Sequence, residues 1–378
     1  MHIFISAGEA SGDLHGSHLV RAILAMAPQT RLSCIGGPLL REAGAQVVVD
    51  NRDIAVVGGF EVLSHARAIY RCWCKVRSHL AADPPDLVVL IDFPDFNFLL
   101  ARFARRKGSR LFYYISPQVW AWREYRVKTM KRLLDAMAVI LPFEKTFYES
   151  RGLKAFYVGH PLVDILASAP GAAEAEKKYK TGIEGPLVGI LPGSRRSEIK
   201  LLFDILMDSA RIVRERLPQA RFILPVAPSL DPQEISALAA KWGLPLRVVA
   251  GDTYGVIRAC DLLVTASGTV ALEAAILGTP MIITNRILRL SGEIAKRLIR
   301  VRFIGLPNLI AGKEVVPEFV QERARPDLIA AEAVSLLEDP ERLAAQRREL
   351  EKIRECLGEP GISERVARLV LETARRGR

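Results

Sequence analysis

Short apolar runs alternate with longer amphipathic stretches along most of the chain. Residues 3–6, Leu87–Ile91, 111–115, 136–141 and 156–158 are apolar at almost every position. A strand buried on both faces requires this pattern, because neither face meets water. Between these runs, stretches such as residues 14–26 and 98–107 carry apolar residues at helical spacing. The alternation predicts a β-α-β rhythm and hence a doubly wound parallel sheet. Residues 168–185 (SAPGAAEAEKKYKTGIEG) break the rhythm with small and charged side chains, as an interdomain linker would. A second series follows at Leu187–Leu191, 221–225, 246–249, Leu262–Ala266 and 281–284, again with helices between. From about residue 325 the chain reads as helices rich in Glu and Arg. The expected fold is α/β, with two Rossmann-like doubly wound domains facing a cleft. The expected boundaries are 1–165 and 166–345. The C-terminal helices, 346–378, would pack back on the first domain or on a partner subunit.

Composition agrees with two cores and narrows the function. The 378 residues are 50% hydrophobic, enough to fill two α/β domains, and no low-complexity tract appears. The formal net charge of +11 favours anionic ligands or an anionic surface. No RNA-binding signature accompanies it, so nucleic acid is not an expected partner. The five cysteines, Cys34, Cys72, Cys74, Cys260 and Cys356, are scattered, and the C-x-C pair lacks the second pair a zinc site needs. They read as reduced thiols of a cytoplasmic protein. A strand pattern begins at the first residues, so no signal peptide is expected. No apolar run reaches the roughly 18 residues that span a bilayer.

Ligands of open α/β sheets bind beyond the carboxyl ends of the strands, so the residues there carry the candidate chemistry. After the first strand come Gly8-Glu9-Ala10-Ser11-Gly12-Asp13. The glycine spacing is not a dinucleotide fingerprint. Glu9 is a carboxylate at a strand end, while Asp13 reads as a first-turn acid of the next helix. After Leu87–Ile91 comes Asp92-Phe93-Pro94-Asp95-Phe96-Asn97. Asp92 follows apolar residues and caps nothing obvious, as a general base in a crevice would; Asp95 or Asn97 reads as the helix cap. Trp120 and Trp122 follow the next strand and would pack a sugar or acyl chain, or else the core. His160 reads as a hinge residue more readily than as a catalyst. In the second series, Gly193-Ser194-Arg195 and Ser267-Gly268-Thr269 each follow a strand and open a helix. Such turns offer backbone N–H groups, hydroxyls and a guanidinium to a diphosphate. Neither contains the G-K-[ST] of a P-loop. Glu273, one turn further in, would accept from ribose hydroxyls.

Together these motifs resemble the lipid-A-disaccharide synthases, glycosyltransferases of the GT-B architecture. The resemblance rests on AGEASGD (7–13), IDFPDFN (91–97), SPQVWAWR (116–123), LPFEK (141–145), GHP (159–161), LPGSR (191–195), SGT (267–269) with Glu273, and LPNLIAG (306–312), in that order. It implies an inverting transfer from UDP-2,3-diacylglucosamine to 2,3-diacylglucosamine 1-phosphate (lipid X), forming a β-1,6 bond and releasing UDP. No metal or other cofactor is implied, in keeping with the absence of an Asp-x-Asp motif. Asp92 is the first candidate base and Glu9 the second, and Arg195 would stabilise departing UDP. Asn308 and Gln321 join the donor site by analogy. Both substrates carry acyl chains, so the enzyme would meet the inner face of the inner membrane as a peripheral protein. The apolar segment 54–69, with Val56, Val57, Phe60, Val62 and Leu63, is the candidate contact. Arg67, Arg71, Lys75 and Arg77 would add attraction to anionic lipid. Ser11, Trp120 and Trp122 are candidates for the acceptor side. A homodimer stays open. The competing readings are another GT-B UDP-N-acetylglucosamine transferase or epimerase, and a non-catalytic nucleotide-sugar binding protein.

Overall fold

The computed structural model describes residues 1–53, 62–287 and 302–375. The chain divides into two units: Met1–Pro161 with Leu357–Arg378, and Leu162–Cys356. The first unit is therefore discontinuous in sequence.

Its sheet has seven strands: β1 His2–Ala7, β2 Arg31–Gly36, β3 Gln46–Asp50, β4 Leu87–Ile91, β5 Arg110–Tyr114, β6 Ala136–Val139 and β7 Phe156–Tyr157. Their order is β3-β2-β1-β4-β5-β6-β7, and every pairing is parallel. β1 and β4 are buried at every position, as continuous apolar runs dictate. The helix Pro94–Arg106 begins with a proline, whose missing N–H costs nothing at a first turn. It buries Phe96, Phe98, Leu100, Ala101 and Ala104 on one face. The last helix, Ile362–Arg375, buries Ile362, Val366, Ala367, Val370, Leu371 and Ala374. That amphipathic stripe covers β4 and β5 and packs on the helix Ala10–Met26. The return of the chain is fastened at Gly159, His160 and Leu357. Gly159 sits at φ +88 with Leu357 O too near for a Cβ, and the His160 N–H donates to Leu357 O at 2.9 Å.

The second unit has six strands: β8 Leu187–Leu191, β9 Arg221–Val226, β10 Leu246–Ala250, β11 Leu262–Ala266, β12 Met281–Asn285 and β13 Glu318–Val320. They are parallel, in the order β10-β9-β8-β11-β12-β13. Its core joins Val188, Ile190, Phe222, Leu224, Val264 and Ile282 of the sheet to Phe203, Leu206 and Ile329 of flanking helices.

Three sequence expectations change here. Residues 168–185 are not a free linker. The helix Ala172–Tyr179 docks in the second unit, where the Tyr179 hydroxyl donates to Asp252 Oδ2 at 2.6 Å. The helix Pro340–Cys356 stays with the second unit, so the chain crosses back at 356/357 rather than 345/346. Asn97 caps nothing. The N-cap of Pro94–Arg106 is Phe93, and Asn97 lies fully buried inside the helix.

Candidate active site

Both sheets reverse their strand order beside their first strand, and each reversal opens a crevice at the carboxyl ends. In the first unit the reversal lies between β1 and β4, where Ala7 pairs with Ile91. The next residues on the two strands, Gly8-Glu9 and Asp92-Phe93, therefore share the crevice. Gly8 permits the approach: a Cβ there would lie 2.4 Å from Phe93 Cδ1. Glu9 is exposed at the N-cap of Ala10–Met26 without making a side-chain cap bond to it.

Asp92 and Phe93 both adopt left-handed backbone, φ 43 and 45, a conformation costly for non-glycine residues. The Asp92 N–H donates to Ile115 O at 3.3 Å. Its carbonyl accepts from Asn97 Nδ2 and from the Tyr113 hydroxyl, each at 2.7 Å. Burial, aided by the charge of Glu9 and opposed by the Phe93 N–H, pushes the Asp92 carboxyl up to about 6. A carboxylate so placed is matched to proton abstraction near neutral pH. Asp95, by contrast, is exposed and pairs with Arg126 and Arg123.

The other candidates of this unit separate. Ser11 is exposed in the first turn of Ala10–Met26. Trp120 Nε1 donates to Glu144 Oε1 at 3.1 Å, and its ring meets Phe143 edge-on. Glu144, missed by sequence reasoning as an organising group, also accepts from Ser116 Oγ (2.9 Å) and the N–H of Leu141 (3.0 Å). Burial raises its carboxyl despite these bonds. Trp122 is exposed, with the Arg123 guanidinium 3.8 Å from its ring. Burial, then His15, lowers His160 to about 3, so its ring is neutral near neutral pH. Val56, Val57 and Phe60 lie outside the described residues. Val62 and Leu63 begin the helix Val62–Ala82, and their side chains also lie outside them. Among the described residues no helix is long and apolar enough to cross a membrane.

In the second unit the reversal lies between β8 and β11. A cavity of about 590 Å³ opens there, and Gly193, Ser194, Arg195, Ser267, Gly268, Thr269 and Glu273 all line it. That volume suits a nucleotide-sized ligand. The helix Thr269–Leu277 starts at this cavity with Gly268 as N-cap. A glycine cap supplies no oxygen, so no side chain of the cap residue answers the first helical N–H groups. Ser267 is not the cap; its Oγ is bonded to Asn285 Nδ2. Glu273 is half-buried and pushed up to about 6 by burial, with the Tyr254 hydroxyl 3.5 Å from Oε1.

The Gly193 turn differs from expectation. Its amides are not open: Glu198 Oε2 accepts from the N–H of Ser194 (2.8 Å) and of Arg195 (3.2 Å). Gly193, at φ +122, is required because a Cβ would lie 2.4 Å from that oxygen. What the turn offers the cavity is the exposed Arg195 side chain, 3.7 Å from Glu198 Oε1. Asn308 and Gln321 do not line the cavity. Asn308 is fully buried: Nδ2 donates to Val316 O and Glu318 Oε1, and Oδ1 accepts from the N–H of Val315 and Val316. Gln321, at φ 54, accepts from the Ile287 N–H at 3.3 Å. Sequence reasoning also passed over Asp252, Thr253 and Tyr254, which line the cavity just after β10, and Ser168–Pro170 of the supposed linker. The strand-end rule applied to residues 246–249 would have found the first three.

The family model described as Lipid-A-disaccharide synthetase matches residues 3–372. Lipid-A-disaccharide synthase of Geobacter sulfurreducens is 49% identical over 370 residues, covering 98% of this chain and 96% of that protein. The protein of the same name from Koribacter versatilis is 38% identical, covering 100% and 99%. Among solved structures, the UDP-GlcNAc 2-epimerase of Neisseria meningitidis bound to UDP-GlcNAc superposes with a TM-score of 0.64 at 13% identity, covering 98% of this chain and 100% of that one. The calicheamicin glycosyltransferase CalG4 gives 0.61 at 17%, covering 99% and 98%. These two share the fold, two parallel sheets with flanking helices. The family match over nearly the whole length decides the rest: the chain belongs to the lipid-A-disaccharide synthases, which are glycosyltransferases.

Proposed function

We propose that this enzyme transfers 2,3-diacylglucosamine from its UDP derivative to the 6-hydroxyl of 2,3-diacylglucosamine 1-phosphate. The new bond is β-1,6, formed with inversion, and UDP leaves. UDP occupies the second-unit cavity, its diphosphate against the start of Thr269–Leu277 and Arg195. Positive groups fixed there stabilise the negative charge that develops as the sugar–phosphate bond breaks. Glu273 accepts from ribose hydroxyls. UDP-GlcNAc in the Neisseria epimerase supports a nucleotide-sugar donor on this fold. Asp92 takes the proton of the 6-hydroxyl, with Glu9 as the alternative base. Ser11, Trp120 and Trp122 serve the acceptor side. Because both substrates are acylated, the enzyme works as a peripheral protein on the inner face of the inner membrane. Segment 54–69 and its basic neighbours would meet the anionic lipid.

The observation that carries the mechanism is the half-buried Asp92 at the reversal between β1 and β4, directly after the Ala7–Ile91 pair; burial also raises its carboxyl. The test is transfer by purified protein, with lipid X as acceptor and either UDP-2,3-diacylglucosamine or UDP-GlcNAc as donor. Disaccharide should form with the acylated donor. Turnover of the unacylated donor alone would defeat the substrate assignment. Asp92→Asn should abolish transfer while UDP still binds.

A further inference from the structure

We propose that Asn97 is a positioning residue that, together with the Tyr113 hydroxyl, clamps the backbone of Asp92 in the conformation that presents its carboxylate to the crevice. This rests on Asp92 as the base.

Two consecutive left-handed residues without glycine do not persist unless their surroundings fix them. The surroundings here are specific. Asn97 Nδ2 donates to two successive carbonyls, Ile91 O at 3.2 Å and Asp92 O at 2.7 Å. Its Oδ1 accepts from Ser6 Oγ at 2.6 Å, tying the clamp to β1. The Tyr113 hydroxyl, from β5, reaches the same Asp92 carbonyl at 2.7 Å. Asn97 and Ser6 are fully buried, and so is Tyr113. Three adjacent strands thus converge on one peptide group. A carbonyl oxygen has two lone pairs, and both are filled here. The side chain of Asp92 takes no part in the clamp, so its carboxylate is kept for another task. A purely structural need would be met more cheaply by a glycine at 92 or 93, which tolerates positive φ without support. The clamp instead permits a carboxylate at a place where the backbone favours glycine.

The test uses the full chain with the acylated donor and lipid X. Tyr113→Phe removes one hydrogen bond and keeps the ring. Asn97→Ser removes the amide. Under the proposal Asn97→Ser lowers kcat by about 10²-fold, the scale of a roughly 1 Å misplacement, with donor KM unchanged. Tyr113→Phe lowers it less. In both variants the acid limb of the kcat profile moves to lower pH, as the carboxylate leaves its buried setting. Native kcat and an unmoved acid limb in Tyr113→Phe and Asn97→Ser, with Asp92→Asn inactive, overturn the clamp and leave the base standing. Should Asn97→Ser fail to fold, Tyr113→Phe decides alone by the same two readings. Full transfer by Asp92→Asn overturns the base assignment itself, and the clamp with it.

Discussion

Replacing Asp92 with Asn should make the protein inactive and, at neutral pH, more stable. The carboxyl is raised from an ordinary 3.8 to about 6, mainly by burial. Below about 3.8 folded and unfolded chains both hold the proton, and the group is neutral in its effect. Between that value and about 6 the unfolded chain loses the proton first, so stability falls as pH rises. Above about 6 the whole cost is present. At about 1.36 kcal/mol per pH unit it amounts to about 3 kcal/mol. Asp92 is half-buried, and solvent screening reduces this to roughly 1–3 kcal/mol. Asparagine fills the same space without charge and tolerates left-handed backbone well, so Asp92→Asn should recover that amount. For a unit of this size the melting temperature should rise by about 2–10 °C at about pH 8, and hardly at all at about pH 4. Scanning calorimetry of both proteins at the two pH values measures the difference. An equal gain at both would show that the stabilisation has nothing to do with ionisation.

Further outcomes follow from the geometry. Gly8→Ala should destabilise by about 1–3 kcal/mol, because the new methyl meets the Phe93 ring at 2.4 Å; chemical denaturation reads it, and an unchanged midpoint refutes the close approach. Asn308→Ala should destabilise by about 3 kcal/mol or more, since it strips internal partners from Glu318 and the 315–316 backbone, yet the folded fraction should bind UDP with native affinity by calorimetry. A selective loss of UDP binding would put Asn308 back in the donor site. Native UDP affinity should fall as pH drops through about 6, where Glu273 gains a proton and accepts less well. Because the diphosphate of UDP also titrates, Glu273→Gln is the control: it should flatten the part of the profile that Glu273 causes.

Much of the fold was legible because its central strands are buried on both faces. Leu87–Ile91, Leu187–Leu191 and Leu262–Ala266 read directly as apolar runs, broken only by Gly189 and Thr265, with the bounds the structure gives them. The strands that escaped notice lack that signature. β2 (RLSCIG) is broken by Arg31 and Ser33, β3 is an edge strand with partly exposed positions, and β13 has three residues. At the candidate site, the strand-end rule pointed to Glu9 and Asp92 at the first crevice and to seven of the residues that line the cavity. It failed where function depends on what a side chain touches. Glu198 sits on amides that the pattern shows as open, and Asn97 reads as a cap although it is buried among three strands. Asn308 shares a motif with its family, but its contacts are internal, which motif order cannot reveal.

The discontinuity of the first unit bears on how the polypeptide is made. A ribosome releases residues 1–161 early, yet the stripe of Ile362, Val366 and Val370 that seals β4 and β5 is synthesised only after the whole second unit. The second unit is complete once Cys356 has emerged, while the first still waits with part of its apolar surface bare. The unit begun first is thus the one completed second, and the helix Ile362–Arg375 acts as its latch. A nascent chain arrested just short of that helix would be a natural client for a chaperone, and a nonsense mutation just before Ile362 would strike at the half of the molecule encoded first.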